Sequence, residues 1–256
     1  MVPALFLAHG SPMLAIEDTE YTQFLAELGK KIKPKAIVIF TAHWESNTLT
    51  ISSSNDVYET IYDFGGFPPE LYAVKYPAKG SEQVAAMLEE KFIKQGISVK
   101  KNTTRGLDHG SWTLLSRMYP KADIPVVQVS VNPYLSVNEQ FKIGEALQGL
   151  GKEDILVIGS GVTVHNLRML KWEQSSAPEP WAAAFDDWLI DKIQKRELDS
   201  LFNWENEAPY ARLAVPREEH FVPLFIAMGS GDPHAEAKVI HRSYDMGTLS
   251  YLCFQF

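Results

Sequence analysis

Residues 3–12 read PALFLAHGSP. An apolar run bounded by turn residues reads as a buried strand. This one stops on an imidazole, His9, and a Gly-Ser-Pro turn follows. Residues 36–45, AIVIFTAHWE, repeat the arrangement with a second apolar run that ends at His43. Two strands that each deliver a histidine at the carboxyl end suggest a common destination for the two rings.

Working outward, PVVQVSV at 125–131 and ILVIG at 155–159 read as further buried strands. LTISS at 49–53 reads as an edge or hairpin strand, and the terminal SYLCFQF as another. Amphipathic patterns between them predict helices over 18–32, 80–95, 137–149 and 179–195, and one from about Pro216 to Gly229. Ser81 is the expected N-cap and Gly96 the C-terminal stop of the second of these. Strands alternating with helices predict an α/β fold, a single domain over residues 1–256. Its central sheet is expected to be largely parallel or mixed and flanked by helices. No repeat, low-complexity tract or linker interrupts it. Residues 54–79 form a long irregular stretch with Tyr58, Tyr62, Phe64, Phe67, Tyr72 and Tyr76 among Gly and Pro. A loop of that length beside an α/β core is more often functional than idle.

The bulk composition removes several classes of function. With 24 Lys and Arg against 32 Asp and Glu the net charge is -8, which disfavours nucleic acid and anionic membrane as partners. No apolar stretch approaches the roughly 20 residues of a membrane-spanning helix, and the short apolar start lacks the basic flank of a secretory leader. The single cysteine, Cys253, has no internal partner, so a reducing, cytoplasmic setting is expected. Its place in the last strand predicts a core residue rather than a nucleophile. Ser11 lacks the G-x-S-x-G elbow of a nucleophilic serine and is expected to shape the turn after His9.

Seven histidines remain: His9, His43, His109, His165, His220, His234 and His241. In open α/β sheets ligands bind at the carboxyl ends of the strands. His9 and His43 end strands, His165 lies just past ILVIG in GSGVTVHNL, and His109 sits between glycines in GLDHGSW. His220 would project from the helix that begins near Pro216. Neutral imidazoles suit a borderline divalent metal such as Zn²⁺ or Fe²⁺, and long spacings imply a site assembled by folding. Asp108 and Glu45 are candidate partners for fixing the imidazole tautomers, or else solvated charges. Helical spacing turns Glu218 and Glu219 away from the His220 face. His234 and His241 read as non-catalytic, with His241 a possible substrate-side contact.

Six blocks, AHGSPM (8–13), TAHWE (41–45), YDFGGFPPELYAVKYPA (62–78), GLDHGSW (106–112), GSGVTVHNL (159–167) and EEHFVPLFIAMG (218–229), occur in this order. Together they resemble the class III extradiol ring-cleavage dioxygenases, in the branch of 4,5-DOPA dioxygenase-like enzymes, over nearly the whole chain. The resemblance implies a metal pocket beside the sheet, with Fe²⁺ for ring cleavage and Zn²⁺ as an alternative occupant. His9, His43 and His220 would be metal ligands. His165 would stand at the metal as a fourth ligand or as the acid/base, and His109 would contact substrate or oxygen. Protocatechuate-cleaving relatives use two histidines and a glutamate; His220 here makes the set all-histidine, which also suits Zn²⁺.

The expected reaction is extradiol opening of a small, DOPA-like catechol with O₂. An imidazole titrating near neutrality can take the catechol proton and return one. The loop aromatics Tyr62, Phe64, Phe67 and Tyr72 either wall the ring or pack the loop. A substrate carboxylate calls for a cation, for which Arg105, Arg168 and Arg242 are candidates. Two alternatives stay open: a Zn²⁺-dependent hydrolase or lyase on the same scaffold, and a ligand-binding member without catalysis. Retention of all five pocket histidines favours an enzyme.

Overall fold

The computed structural model describes residues 1–171 and 177–256. Ten strands are present among them: β1 (Leu5–Ala8), β2 (Ala36–Glu45), β3 (Leu49–Ser52), β4 (Val99–Asn102), β5 (Val126–Val131), β6 (Ile155–Gly161), β7 (Lys238–His241), β8 (Tyr244–Asp245), β9 (Leu249–Ser250) and β10 (Cys253–Gln255). Eight of these build one sheet in the order β4-β3-β5-β2-β6-β1-β10-β7, and β8 pairs with β9 in a short ribbon. The central strands β5, β2, β6 and β1 are mutually parallel. β10 joins β1 and β7 antiparallel, and β3 meets β5 antiparallel while running parallel to β4. The sheet is therefore mixed, with a parallel centre, as the alternation of apolar runs predicted.

The central runs are buried on both faces and still alternate. Leu5, Leu7, Ile37, Ile39, Leu156 and Ile158 belong to one core, while Phe6, Val38, Phe40, Ile155 and Val157 belong to the other. Successive strand side chains point to opposite faces, so one apolar run feeds two layers. The helices α1 (Glu20–Lys31), α2 (Pro69–Ala73), α3 (Glu82–Lys94), α4 (His109–Met118), α5 (Val137–Glu145), α6 (Pro180–Lys195), α7 (Leu198–Phe202), α8 (Trp204–Glu207), α9 (Ala211–Ala214) and α10 (Val222–Ser230) cover those faces. Tyr21, Leu25 and Leu28 of α1 and Trp112, Leu114 and Leu115 of α4 pack in the first core. Residues of α3, α5, α6 and α10 fill the second. Ser81 caps α3 as expected, accepting from the Val84 N–H, and a Thr19–Thr22 capping box opens α1. No helix among the described residues is long and apolar enough to cross a membrane.

Two elements depart from the sequence reading in ways that bear on the site. Residues 216–221 are not helical, and α10 starts only at Val222, with Pro223 in its first turn. A proline fits the first helical turn because the donor it lacks is unpaired there anyway; here Pro223 fills that place and Pro216 does not. His220 therefore precedes the helix instead of projecting from it. β2 runs on to Glu45, and its register with β5 shifts between Phe40 and Glu45. That irregularity re-aims Thr41–Trp44, as bulges next to functional sites do.

β6 brings the segment that carries His220 against the sheet by lacking side chains. The Val162 N–H donates to the His220 carbonyl at 2.8 Å. A Cβ placed on Gly161 would fall 2.1 Å from that same oxygen. Gly161→Ala is expected to force His220 outward and to cost about 1–3 kcal/mol, the usual range for overpacking. Urea unfolding of the metal-free protein checks this, as a lower midpoint at unchanged slope.

Candidate metal centre

The carboxyl ends of β1, β2 and β6 converge on one buried cluster of imidazoles. His9 follows β1 directly, and Gly10 then turns the chain at φ +50°, lying so close to the Tyr251 ring that no Cβ would fit. Ser11 accepts from the Met13 N–H and caps the short turn of helix that follows, in keeping with a role in shaping the turn. His43 projects from the irregular end of β2, and His109 is the first residue of α4. His220 is held by its carbonyl against β6.

Three ring nitrogens meet. His43 Nε2 lies 3.0 Å from His9 Nε2 and 3.3 Å from His220 Nε2. The opposite nitrogens show which atoms carry protons. His9 Nδ1 is 2.9 Å from Ser160 Oγ, whose own proton goes to the Gly110 carbonyl, so Nδ1 donates. His43 Nδ1 faces Asp63 Oδ2 at 3.2 Å, and His220 Nδ1 faces Glu219 Oε1 at 3.0 Å; a carboxylate only accepts. All three Nδ1 atoms are thus donors, and all three Nε2 lone pairs point at one place. Crowded, unprotonated nitrogens of this kind repel one another unless a cation sits between them. The donor set therefore fits a divalent metal, with carboxylate or hydroxyl partners fixing each ligand from behind. His9, His43 and His220 do form one group able to share an ion.

Electrostatics favour the neutral rings that a metal needs. Burial, followed by the neighbouring imidazoles, pulls the His9 and His220 pKa values well below the ordinary 6.5. His165 is lowered to about 4, first by burial and then by His43 and His109. It stacks face to face on His220, with centroids 3.8 Å apart and planes at 11°. Its N–H donates to the Ala214 carbonyl at 3.0 Å, while Thr163, two residues earlier, donates to the buried Asp186 at 2.7 Å. Ser250 and Tyr244 hydroxyls donate to the other oxygen of Asp186 at 2.6 and 2.7 Å. The loop that carries His165 is thereby tied to α6 and to the β8–β9 ribbon. Burial raises the Asp186 pKa, against the lowering effect of those hydroxyls.

Asp63, which the sequence reading passed over, touches two of the histidines. Its Oδ1 accepts from His109 Nδ1 at 2.8 Å and from the His109 N–H at 3.1 Å, while Oδ2 takes His43. Burial by itself would raise this carboxyl; the hydrogen bonds from His109 and His43 hold it far below the carboxylate range. Its clue was position, between Tyr62 and Phe64 of the aromatic loop. Asp108 and Glu45 do other work. Asp108 is wholly buried and accepts from Thr41 and Arg105, and Glu45 pairs with Arg217. Glu219 corrects the helical argument, because in a non-helical segment it can turn back onto the ring of the next residue.

Phe64 reaches the His109 ring edge-on at 5.5 Å and joins Tyr62, Phe67, Tyr72 and Trp112 in one aromatic cluster. Tyr58 and Tyr76 are buried in the core instead. His241 is packed between Tyr21 and Phe24 and bonded to Ser243, outside the cluster of imidazoles; His234 lies in an exposed turn. Cys253 is buried and its thiol is pushed up to about 12 by burial, as a core residue should be. Arg105 is bound to the His43 carbonyl and Asp108, and Arg242 to Asp187.

A cluster of imidazoles able to hold a divalent metal stands at the end of a mixed α/β sheet. Over residues 3–254 the chain matches the family of the catalytic LigB subunit of aromatic ring-opening dioxygenases, and it belongs to that family of metal-dependent enzymes. A protein named 4,5-DOPA dioxygenase extradiol in Beta vulgaris is 41% identical over 256 residues, 98% of this chain and 95% of the relative. One of the same name in Escherichia coli K12 is 38% identical, covering 99% of this chain and 94% of that one. A solved structure of an uncharacterized Escherichia coli K12 protein superposes with a TM-score of 0.85 at 33% identity, over 100% of both chains.

The neutral cluster sets a pH dependence with a definite sign. Below pH 6.5 the unfolded histidines take up protons while His9, His165 and His220 in the folded chain do not. The stability they contribute is complete above pH 6.5 and is lost as pH falls toward 4, with a slope of up to about 1.4 kcal/mol per pH unit for each ring. Urea midpoints of the metal-free protein between pH 7 and 4 should fall, and less steeply in His165→Gln.

Proposed function

We propose that the chain opens the ring of a small, DOPA-like catechol with O₂, beside the diol, on Fe²⁺ held by His9, His43 and His220. The observation that carries this reading is the convergence of three unprotonated Nε2 atoms from three separate elements. Bound Fe²⁺ would supply a Lewis acid for the diol and a redox-active centre for O₂, with three protein ligands on one face leaving positions for both.

The remaining steps belong to the chain. His165, neutral at pH 7, can accept a catechol proton at a ring nitrogen and later return it. We infer acid/base duty for it and not ligation of the ion shared by His9, His43 and His220, because its ring stacks flat on the face of His220. His109 keeps its Nδ1 proton on Asp63, so its Nε2 can receive a hydrogen bond from a substrate hydroxyl. Phe64, against His109, would meet the aromatic ring and keep water from it. Arg168, three residues past His165, is the candidate for a substrate carboxylate that fits this reading, since Arg105 and Arg242 are committed elsewhere. The whole of residues 1–256 would act as one catalytic domain, in a cytoplasmic setting that suits the lone reduced cysteine.

Metal-free protein loaded anaerobically with Fe²⁺ should consume O₂ and form a coloured ring-opened product when DOPA or a simple catechol and air are added. His43→Ala should lose both the metal and O₂ uptake. His165→Gln should keep the metal and lose about 10²–10⁴-fold in kcat, the usual contribution of a positioned acid/base. Absence of uptake with any catechol, together with Zn²⁺ that Fe²⁺ cannot displace, would overturn the dioxygenase reading in favour of a zinc enzyme.

A further inference from the structure

We propose that Asp63 is a positioning residue that makes the aromatic loop part of the metal centre, by fixing the tautomers of His43 and His109 with one carboxylate. The inference rests on the reading of His43 as a ligand and His109 as the ring that meets substrate.

Three N–H groups from two elements end on this one side chain: His43 Nδ1, His109 Nδ1 and the His109 backbone N–H. With both Nδ1 atoms donating, both Nε2 atoms are left bare, one for the metal and one to accept from a substrate hydroxyl. The His43 and His109 rings lie 3.9 Å apart, so the carboxylate sets their mutual orientation as well as their protons. The loop is anchored to place Asp63 there. Thr60 bridges to Leu107, the Ile61 N–H donates to the Leu107 carbonyl at 2.8 Å, and Trp112 Nε1 donates to the Ile61 carbonyl at 2.9 Å. Residues 60–63 thus run alongside 107–109. Phe64, the next residue, carries the aromatic wall. One short segment therefore presents the substrate-facing ring and orients a ligand. The Asp63 side chain is still 24% exposed, so the clamp sits at the mouth of the site and not deep in the core.

Partners that orient a ligating histidine from behind are typically worth 10–100-fold in metal affinity. Asp63→Asn keeps the shape but replaces one acceptor oxygen by a donor, so it cannot accept from both rings. Zn²⁺ affinity of the full chain, measured by competition with a chromogenic chelator, should weaken by about 10–100-fold. Where the Fe²⁺-loaded protein turns over, kcat should fall more than KM rises. Phe64→Ala disturbs loop packing but keeps the carboxylate, and its Zn²⁺ affinity should stay within about twofold of the parent. Imidazole ¹⁵N–¹H correlation spectra of the metal-free parent should show His43 and His109 as Nδ1–H tautomers, a test that needs no variant to fold. Either ring in the other tautomer, unchanged Zn²⁺ affinity in Asp63→Asn, or an equal loss in Phe64→Ala would overturn the proposal. If His43→Ala also left Zn²⁺ affinity unchanged, the ligand assignment itself would fall; if only that variant lost it, Asp63 alone would be misread.

Discussion

Three imidazole lone pairs pointed at one another are the constraint on which the rest of this structure depends. Neutral rings can be buried cheaply, whereas charged ones cannot. His9 and His220 are 0% and 6% exposed, so the fold must keep them uncharged and must still hold their Nε2 atoms 3.0 and 3.3 Å from that of His43. Each ring has consequently been given a fixed acceptor behind it: Ser160 for His9, Asp63 for His43 and Glu219 for His220. The acceptors come from a strand, a loop and a turn, and each of those is itself anchored. Ser160 is pinned by the Gly110 carbonyl at the start of α4, and the turn with Glu219 by the bond from Val162 to His220.

The parallel centre of the sheet supplies the geometry. In a parallel sheet all strands end on the same side, so a residue placed just beyond each carboxyl end arrives in one crevice without any local sequence motif. β6 lies between β2 and β1 in the sheet, and its glycines let the His220 segment approach the backbone closely. A bulky strand there would have kept the third imidazole away from the other two. Loss of side chains on β6 is thus as much a feature of the centre as the histidines are.

This division explains what was legible beforehand. The strands β1, β2, β5 and β6 were readable because burial on both faces makes them continuous apolar runs. β4 (VKKN) and β7 (KVIH) were not, because edge strands are short, polar and partly exposed, as edges usually are. His9 and His43 were readable from strand ends, and His109, His165 and His220 from glycine-bearing turns and the family blocks. The partners behind the rings were not. Asp108 was suggested by adjacency to His109, but its carboxylate is spent on Thr41 and Arg105. Glu219 was turned away by a helical periodicity that residues 216–221 do not have. Asp63 lies 20 residues from His43 and 46 from His109, a relation that only the anchored loop creates.

The carboxylates stand one ring behind the donor atoms instead of among them, and that placement has a chemical consequence. A dication held by three neutral imidazoles keeps its full charge at the open side, where an anionic diol would bind. Around such an ion Asp63 and Glu219 would compensate the charge only through the rings, by making the ring nitrogens more basic. A carboxylate ligand would cancel part of the charge where it is needed to favour the deprotonated catechol. The same separation leaves His165 as an uncharged ring stacked on His220, its pKa lowered to about 4 by burial and then by His43 and His109. The carboxylates behind the rings, the stacked His165 and the aromatic cluster in this way come from different elements, and the segment from Asp63 to Phe64 joins the first of them to the last.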